Sequence, residues 1–337
     1  MKSIQRSAIL HAAACCVLLL SVVTSLWSGV AFGAAPQVRT QGPGFYRIML
    51  GGFEVTALLD GTHPFPIDTV IEDVPKAEIA RDLDRDFLQA PVQGSINAFL
   101  INTGSKLILI DTGAGVLYGD CCGKLLANLR AAGYRPEQID EVLLTHLHKD
   151  HVGGIVINSA SSGKMAFPNA LVRASRAEAD YWLNPANKAK APAFLSTFFD
   201  AASASVAPYI AAGRFKPFDV DVDSDVELDA GIRAIALPGH TPGHTGYLIE
   251  SGTEHLLVWG DIVHVAAIQL QNPTASVEYD TDAAAAQRSR RSALELAARE
   301  RYLIGAAHIA FPGLGHIRQN GNTYDWVPVN YEAAPAQ

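Results

Sequence analysis

The segment Thr145-His146-Leu147-His148-Lys149-Asp150-His151-Val152-Gly153-Gly154 places three histidines and an aspartate within six positions. Imidazole nitrogens and carboxylate oxygens are the donors that zinc and other late divalent ions take. His146 and His148 are two residues apart, so on an extended backbone their side chains share one face. Asp150 and His151 then turn toward a second point, and Gly153-Gly154 permits the tight backbone that follows. A solvated loop requires neither this spacing nor paired glycines.

Two later segments add donors of the same kind. Pro238-Gly239-His240-Thr241-Pro242-Gly243-His244 is a histidine loop behind an apolar run ending at Leu237, and Trp259-Gly260-Asp261 sets a carboxylate at the end of another. His308 follows directly from the apolar run Tyr302 to Ala306, where a side chain is held rigidly; His316, eight residues on, is its rival. Alone, an aspartate after a strand is usually a turn residue and a histidine in a Pro/Gly loop is usually solvated. In this order they form a ligand set.

The elements that must hold these donors follow from the apolar pattern. Phe45 to Leu50 and Phe53 to Asp60 predict a hairpin about Gly51-Gly52, and Asn97 to Asn102 with Lys106 to Asp111 predict another strand pair. Glu141 to Leu144 is a short strand running straight into Thr145-His146. Lys124 to Ala132 predicts a helix stopped by Gly133. Leu171 to Ala174 predicts a strand followed by a helix over Arg176 to Leu183. The Ala/Pro-rich stretch 184–213 predicts a helical insertion, without flanking linkers. Strands resume at Ile232 to Leu237, Tyr247 to Glu250 and Leu256 to Trp259. A helix over Asp282 to Arg301 follows, capped by Asp280 or Thr281, with its arginines (Arg288, Arg290, Arg291, Arg299, Arg301) on a solvated face. Tyr302 to Ala306 reads as the last core strand. Strand-rich segments followed by helices, twice over, fit an α/β architecture of two sheets between helix layers.

Together these residues resemble the metallo-β-lactamase fold superfamily: the His-x-His-x-Asp-His segment, His240, the Gly260-Asp261 pair, and Asp111-Thr112-Gly113 after a strand. Within it the chain is most similar to the methyl parathion hydrolase group and related secreted lactone and aryl-ester hydrolases. That likeness is carried by the segments beginning at Ala35-Pro36-Gln37, Ala166-Phe167-Pro168, Glu178-Ala179-Asp180, Phe311-Pro312-Gly313 and Val327-Pro328-Val329.

The resemblance implies an αββα sandwich and two divalent metal ions, zinc above all. It places His146, His148 and His240 on one ion and Asp150, His151 and His308 on the other, with Asp261 bridging them beside a hydroxide. Asp150 and Asp261 would be the catalytic carboxylates, Asp150 either as a pure ligand or as a proton acceptor. Tyr118, Trp182 and Phe198, with Phe199, would form an aromatic pocket above the ions. His264 would line that pocket too, and with Ile71, Val277 and Tyr279 it departs from the pattern of a dedicated phosphotriesterase. They favour a hydrolase of lactones or aryl esters with organophosphate triesterase activity in addition. A dedicated methyl parathion-type phosphotriesterase, an acyl-homoserine lactone lactonase and a non-catalytic metal-binding module are the alternatives. A homodimer is implied by the resemblance alone. His244 reads as a residue that fixes its loop, and His63 and His255 as structural or surface residues.

Composition narrows the field further. With 337 residues, 49% hydrophobic and 18% charged, the chain is neither disordered nor a coiled coil. Lys2 and Arg6 precede the apolar run Ala8 to Val23, and small residues follow at Ala31, Gly33, Ala34 and Ala35. This predicts a signal peptide over residues 1–35 and a single catalytic domain over 36–337, periplasmic or secreted, with an uncleaved anchor as the alternative. Removing the leader's two basic residues moves the net charge from −8 to about −10, which disfavours nucleic acid and anionic membranes as partners. A small ester or lactone is the expected partner. No Gly-x-Ser-x-Gly nucleophile motif occurs, no general acid is identifiable, and Cys121-Cys122 read as two unpaired thiols.

Overall fold

The computed structural model describes residues 35–157 and 163–333. The expected leader lies outside the described residues except for Ala35. Residues 35–42 are exposed and carry no regular secondary structure.

From Pro43 onward the described residues form two large sheets, each laid down in sequence order. The first contains β1 (Phe45–Leu50), β2 (Phe53–Phe65), β3 (Val92–Asn102), β4 (Leu107–Ile110), β5 (Glu141–Leu143) and β6 (Leu171–Arg173). The second contains β7 (Val226–Asp229), β8 (Ile232–Ala236), β9 (Thr245–Ser251), β10 (Glu254–Val258), β11 (Leu303–Gly305), β12 (Leu314–Asn320) and β13 (Thr323–Pro328). Most neighbours are antiparallel, but β4 pairs parallel with β5, β5 with β6, and β10 with β11. Parallel neighbours end on the same side, so the loops after β4, β5, β10 and β11 leave from adjacent strand ends. These loops hold Asp111, the His146 segment, Asp261 and His308.

Alternation along the strands sorts side chains into three apolar layers. Val55, Phe99, Ile101, Ile108 and Ile110 of the first sheet meet Ala234, Tyr247, Ile249, Leu256 and Val258 of the second, forming the core between the sheets. Leu100, Leu109 and Val142 point the other way, against the helices α1 (Leu125–Ala131), α2 (Arg176–Trp182) and α3 (Ser196–Ala211). Leu248, Leu257 and Ile304 face Ala293, Leu294 and Ala297 of α4 (Ala283–Glu300). The result is the expected α/β arrangement, an αββα sandwich. The stretch 184–213 is helical, carrying Pro185–Lys188 and α3. Among the described residues no helix is long and apolar enough to cross a membrane.

Three expectations need correction. Tyr302 to Ala306 is not the last strand, because β12 and β13 follow and complete the second sheet. The cap of α4 is Asp282, whose side chain accepts from Ala285 N; Asp280 instead turns inward to His240. Arg290 does not lie on a solvated face. It is 1% exposed and donates to the carbonyls of Ile262, Pro273 and Ala275, tying the loop after Asp261 to α4.

Arg290→Ala leaves these buried carbonyls without a donor and opens a cavity. It is expected to destabilise the metal-free protein by about 3 kcal/mol in urea unfolding. A loss within about 0.5 kcal/mol, the surface range, would restore the solvated reading.

Candidate metal centre

Each donor is positioned by a loop with its own constraint. Asp111 follows β4 with a left-handed backbone (φ 58°), unusual for a residue other than glycine. There its carboxylate accepts from Thr145 N (2.8 Å), Thr145 Oγ1 (2.8 Å) and His151 Nδ1 (2.9 Å). Since the Thr145 hydroxyl donates to Asp111, it accepts from His146 Nδ1 at 3.0 Å. One buried carboxylate thereby orients two imidazoles so that each presents Nε2 to the centre. His240 Nδ1 donates to Asp280 (2.8 Å), and His308 Nδ1 donates to the Ser95 carbonyl (2.9 Å). His148 is the exception: its Nδ1 faces inward, 3.0 Å from His240 Nε2.

Two further groups join loops that sequence separates. Glu178, wholly buried at the start of α2, accepts from Leu147 N (2.9 Å) and Gly243 N (3.0 Å), coupling the His146 segment to the His240 loop. Asn97 on β3 donates to the carbonyls of Ala306 (3.0 Å) and Ile309 (2.9 Å), fixing the turn that carries His308. His244 holds its loop and more: Nδ1 donates to the Leu237 carbonyl, and Nε2 accepts from Asp261 N at 3.0 Å. Gly260 makes that contact possible. Its φ is +58°, and a Cβ there would lie 2.5 Å from His244 Nε2. A Cβ on Gly154 would likewise strike the Thr112 carbonyl, which accounts for the paired glycines.

The centre itself forms around Asp261. His151 Nε2 and His308 Nε2 lie 3.0 and 3.2 Å from its Oδ1; His240 Nε2 and His146 Nε2 lie 3.2 and 3.6 Å from its Oδ2. Ligand atoms of His146, His148, His240 and Asp261 fall within 4.8 Å of one another, as do those of Asp150, His151 and His308. His146 Nε2, His151 Nε2 and Asp261 Oδ1 are buried without hydrogen-bond partners. Atoms bound to a tetrahedral ion at about 2.0–2.1 Å stand about 3.3 Å apart, so this donor set fits metal. The structure thus gathers all seven candidate ligands at one centre. His316 is exposed, its Nδ1 on the Tyr302 carbonyl, and takes no part.

Electrostatics agree with the geometry. Burial pushes His146 and His148 well below the usual imidazole range, leaving them neutral and able to ligate. Burial also acts on His240, but the Asp261 and Asp280 carboxylates overcome it and raise its pKa to about 9. Burial opposes a charge on Asp261, yet His151, His308, His146 and His264 around it hold its carboxyl well below the usual range. Burial, with His240 next to it, lowers His244 to about 3, consistent with an acceptor at Nε2.

The expected pocket residues border this centre. Trp182 and Phe198 set their rings edge-on to His148 at 5.0 and 4.9 Å. Tyr118 donates its hydroxyl to Asp150 Oδ1 at 3.3 Å. Phe199 is buried in the helix-side core against Trp182. His264 Nε2 lies 3.1 Å from Asp261 Oδ2, and Tyr279 stands beside His264. Ile71 pairs with Val277 in a two-stranded ribbon. His63 packs against Tyr118 with tilted rings at 4.9 Å, nearer the centre than expected, while His255 stacks on Tyr302 away from it.

Because His240 keeps its proton up to about pH 9, zinc binding near pH 7.5 must displace protons. Titration calorimetry in buffers of different ionisation enthalpy should show proton release that declines as pH rises through about 9. Release that is absent at pH 7.5 would contradict the assignment of His240 as a ligand.

Comparison with known proteins supports the same reading of the fold. The Metallo-beta-lactamase superfamily model matches residues 91–308. The solved structure of the hydrolase AbOPH, described as in the beta lactamase superfamily, is 37% identical with a TM-score of 0.80, covering 87% of this chain and all of that one. AidC, a dizinc quorum-quenching lactonase solved with a homoserine product, is 29% identical with a TM-score of 0.76, covering 86% of this chain and 98% of its own. Among curated proteins, the exodeoxyribonuclease WalJ of Streptococcus pneumoniae is 29% identical over 162 residues, 46% of this chain and 58% of WalJ. The chain thus spans less than two thirds of that relative. With the family match covering most of the chain from β3 to His308, this protein belongs to the metallo-β-lactamase superfamily.

Proposed function

We propose that the protein is a dinuclear zinc hydrolase of lactones or aryl esters, with organophosphate triesterase activity in addition. The observation that carries this reading is the central position of Asp261, with Oδ1 toward His151, Oδ2 toward His240 and His146, and His308 Nε2 within reach of both oxygens. A bridging carboxylate holds two ions at a fixed spacing, as a single-ion or storage site does not require. Bound there, two ions would supply a hydroxide nucleophile near neutral pH and polarise the substrate's electrophilic oxygen.

The protein's own residues do the rest. Asp111, Asp280 and the Ser95 carbonyl fix the imidazole rings before substrate arrives. The buried Trp182 and the partly exposed Phe198 set apolar ring edges against His148, and Phe198 offers a surface suited to an aryl or acyl group. Tyr118 holds its proton at the Asp150 carboxylate, and burial raises its pKa well above the phenol range. It therefore acts as a neutral hydrogen-bond donor at the rim. Asp150 serves as ligand and as acceptor of this bond.

Lactonase neighbours support the substrate class, and the net charge of −8 sets the chain apart from a binder of polyanionic nucleic acid. The same proposal includes export by the leader 1–35 to the periplasm or beyond, a single catalytic domain over 36–337, and a homodimer.

A kcat/KM panel on an aryl lactone, an acyl-homoserine lactone, an aryl ester and a phosphotriester should rank the aryl lactone or aryl ester first. Asp261→Asn should lower every active member by more than about 100-fold. A leading acyl-homoserine lactone would transfer the assignment to that class, and unchanged turnover in Asp261→Asn would remove the dinuclear mechanism.

A further inference from the structure

Cys121 and Cys122 are free thiols whose sulfurs lie 2.8 Å apart, in mutual contact. The loop that carries them is closed by one buried carboxylate. Asp60, 1% exposed, accepts from Ala114 N (2.9 Å) and Gly123 N (3.0 Å) through Oδ2, and from Leu125 N (3.0 Å) through Oδ1. A bulge in β2, where its register against β3 shifts between Leu59 and Gly61, sets Asp60 at this point. Gly61 then lets the pair pack on the strand, since a Cβ there would lie 2.1 Å from the Cys121 carbonyl oxygen. Cys122 is buried beside Ile96 and Ala114, while Cys121 is half-buried.

Tyr118 joins the pair to the metal centre. Its carbonyl accepts from Cys121 Sγ (3.2 Å), and its hydroxyl donates to Asp150 Oδ1 (3.3 Å). It also precedes the single helical turn Gly119–Cys121, whose Gly119 carbonyl accepts from Cys122 N. A disulfide between the two sulfurs would disturb this chain of contacts. Neighbouring Cα atoms stand about 3.8 Å apart across a trans peptide, short of the ~4.4–6.8 Å that disulfides usually span. The Cys121–Cys122 backbone must therefore turn as the ring forms. Closure also consumes the Cys121 S–H, so the Tyr118 carbonyl loses its donor. The turn has room to move, because nothing lies within 4 Å of a Cβ placed on Gly119.

We propose that Cys121 and Cys122 form a reversible modification site: an external disulfide closes them into a vicinal disulfide, and closure withdraws Tyr118 from Asp150. Cys121, the more exposed sulfur, attacks one sulfur of the external disulfide as its thiolate and releases one thiol. Cys122 then displaces the second thiol from the mixed disulfide and completes the Sγ–Sγ bond. The pair is oxidised by two electrons, the external disulfide is reduced by two, and both thiol protons end on the released thiols. Burial pushes the Cys122 thiol up and keeps it protonated, which leaves the first attack to Cys121. The export proposed above would bring the pair among such oxidants. The effect on turnover rests on the hydrolase reading given above; the closure itself does not.

The test equilibrates full-length protein with glutathione and glutathione disulfide over a range of ratios, then exchanges it into zinc-containing buffer. Peptide mapping separates this pair from Cys15 and Cys16 of the expected leader. The Cys121–Cys122 peptide should lose two hydrogens as glutathione disulfide comes to dominate, and regain them on reduction. In parallel, kcat/KM on an aryl ester should fall by about tenfold, the contribution of one hydrogen bond to a charged group. Cys121→Ser, whose hydroxyl can still donate to the Tyr118 carbonyl, should keep the reduced wild-type value at every ratio. Tyr118→Phe should close the pair with no accompanying fall. A peptide that keeps both hydrogens, or takes a glutathione adduct instead, would overturn the modification site. Closure without a fall in wild type, or a fall that persists in either variant, would overturn the link to Tyr118. A reduced wild type that turns over no ester would overturn the hydrolase reading, with peptide mapping still deciding the closure.

Discussion

A single buried carboxylate organises this molecule. Asp261 sits within 3.6 Å of imidazole nitrogens from His146, His151, His240, His264 and His308, all of them buried. Such a cluster cannot satisfy itself. Burial drives some rings toward neutrality while Asp261 draws His240 and His308 toward protonation, and several donor atoms have no partner in the protein. Divalent ions bound there would resolve the conflict by supplying charge at the point where the donors converge. The fold brings this about because its two sheets release their strand ends toward one place.

Around the centre, buried polar groups each join two stretches of chain. Asp111 links β4 to the His146 segment, Glu178 links that segment to the His240 loop, and Asn97 links the first sheet to the His308 turn. Arg290 does the same for the loop after Asp261. These contacts are costly to break because one partner would remain buried and unpaired. They therefore hold the ligand loops at fixed spacing even though the loops themselves have little regular structure.

The seven ligand candidates were legible in the sequence because each follows closely on a short apolar run, and four lie within one six-residue run. The αββα architecture was legible for a similar reason: strand and helix periodicities alternate cleanly through most of the chain. What escaped were features decided by long-range contact. Arg290 shares its helix with exposed arginines, and nothing in its spacing marks it as buried. β12 and β13 include Arg318, Gln319, Asn320 and Asp325, the polar composition of a sheet edge, and so give little apolar alternation. Asp280 reads locally as a helix cap, because its partner His240 lies 40 residues earlier. His264 was placed on a pocket wall, and only the folded chain brings it to the Asp261 carboxylate.

Anomalous scattering from zinc-loaded crystals, measured on either side of the zinc absorption edge, tests the central claim most directly. The account predicts two peaks flanking Asp261, one in bonding range of His146, His148 and His240 and the other of Asp150, His151 and His308. A single peak at this site, or none, would contradict it.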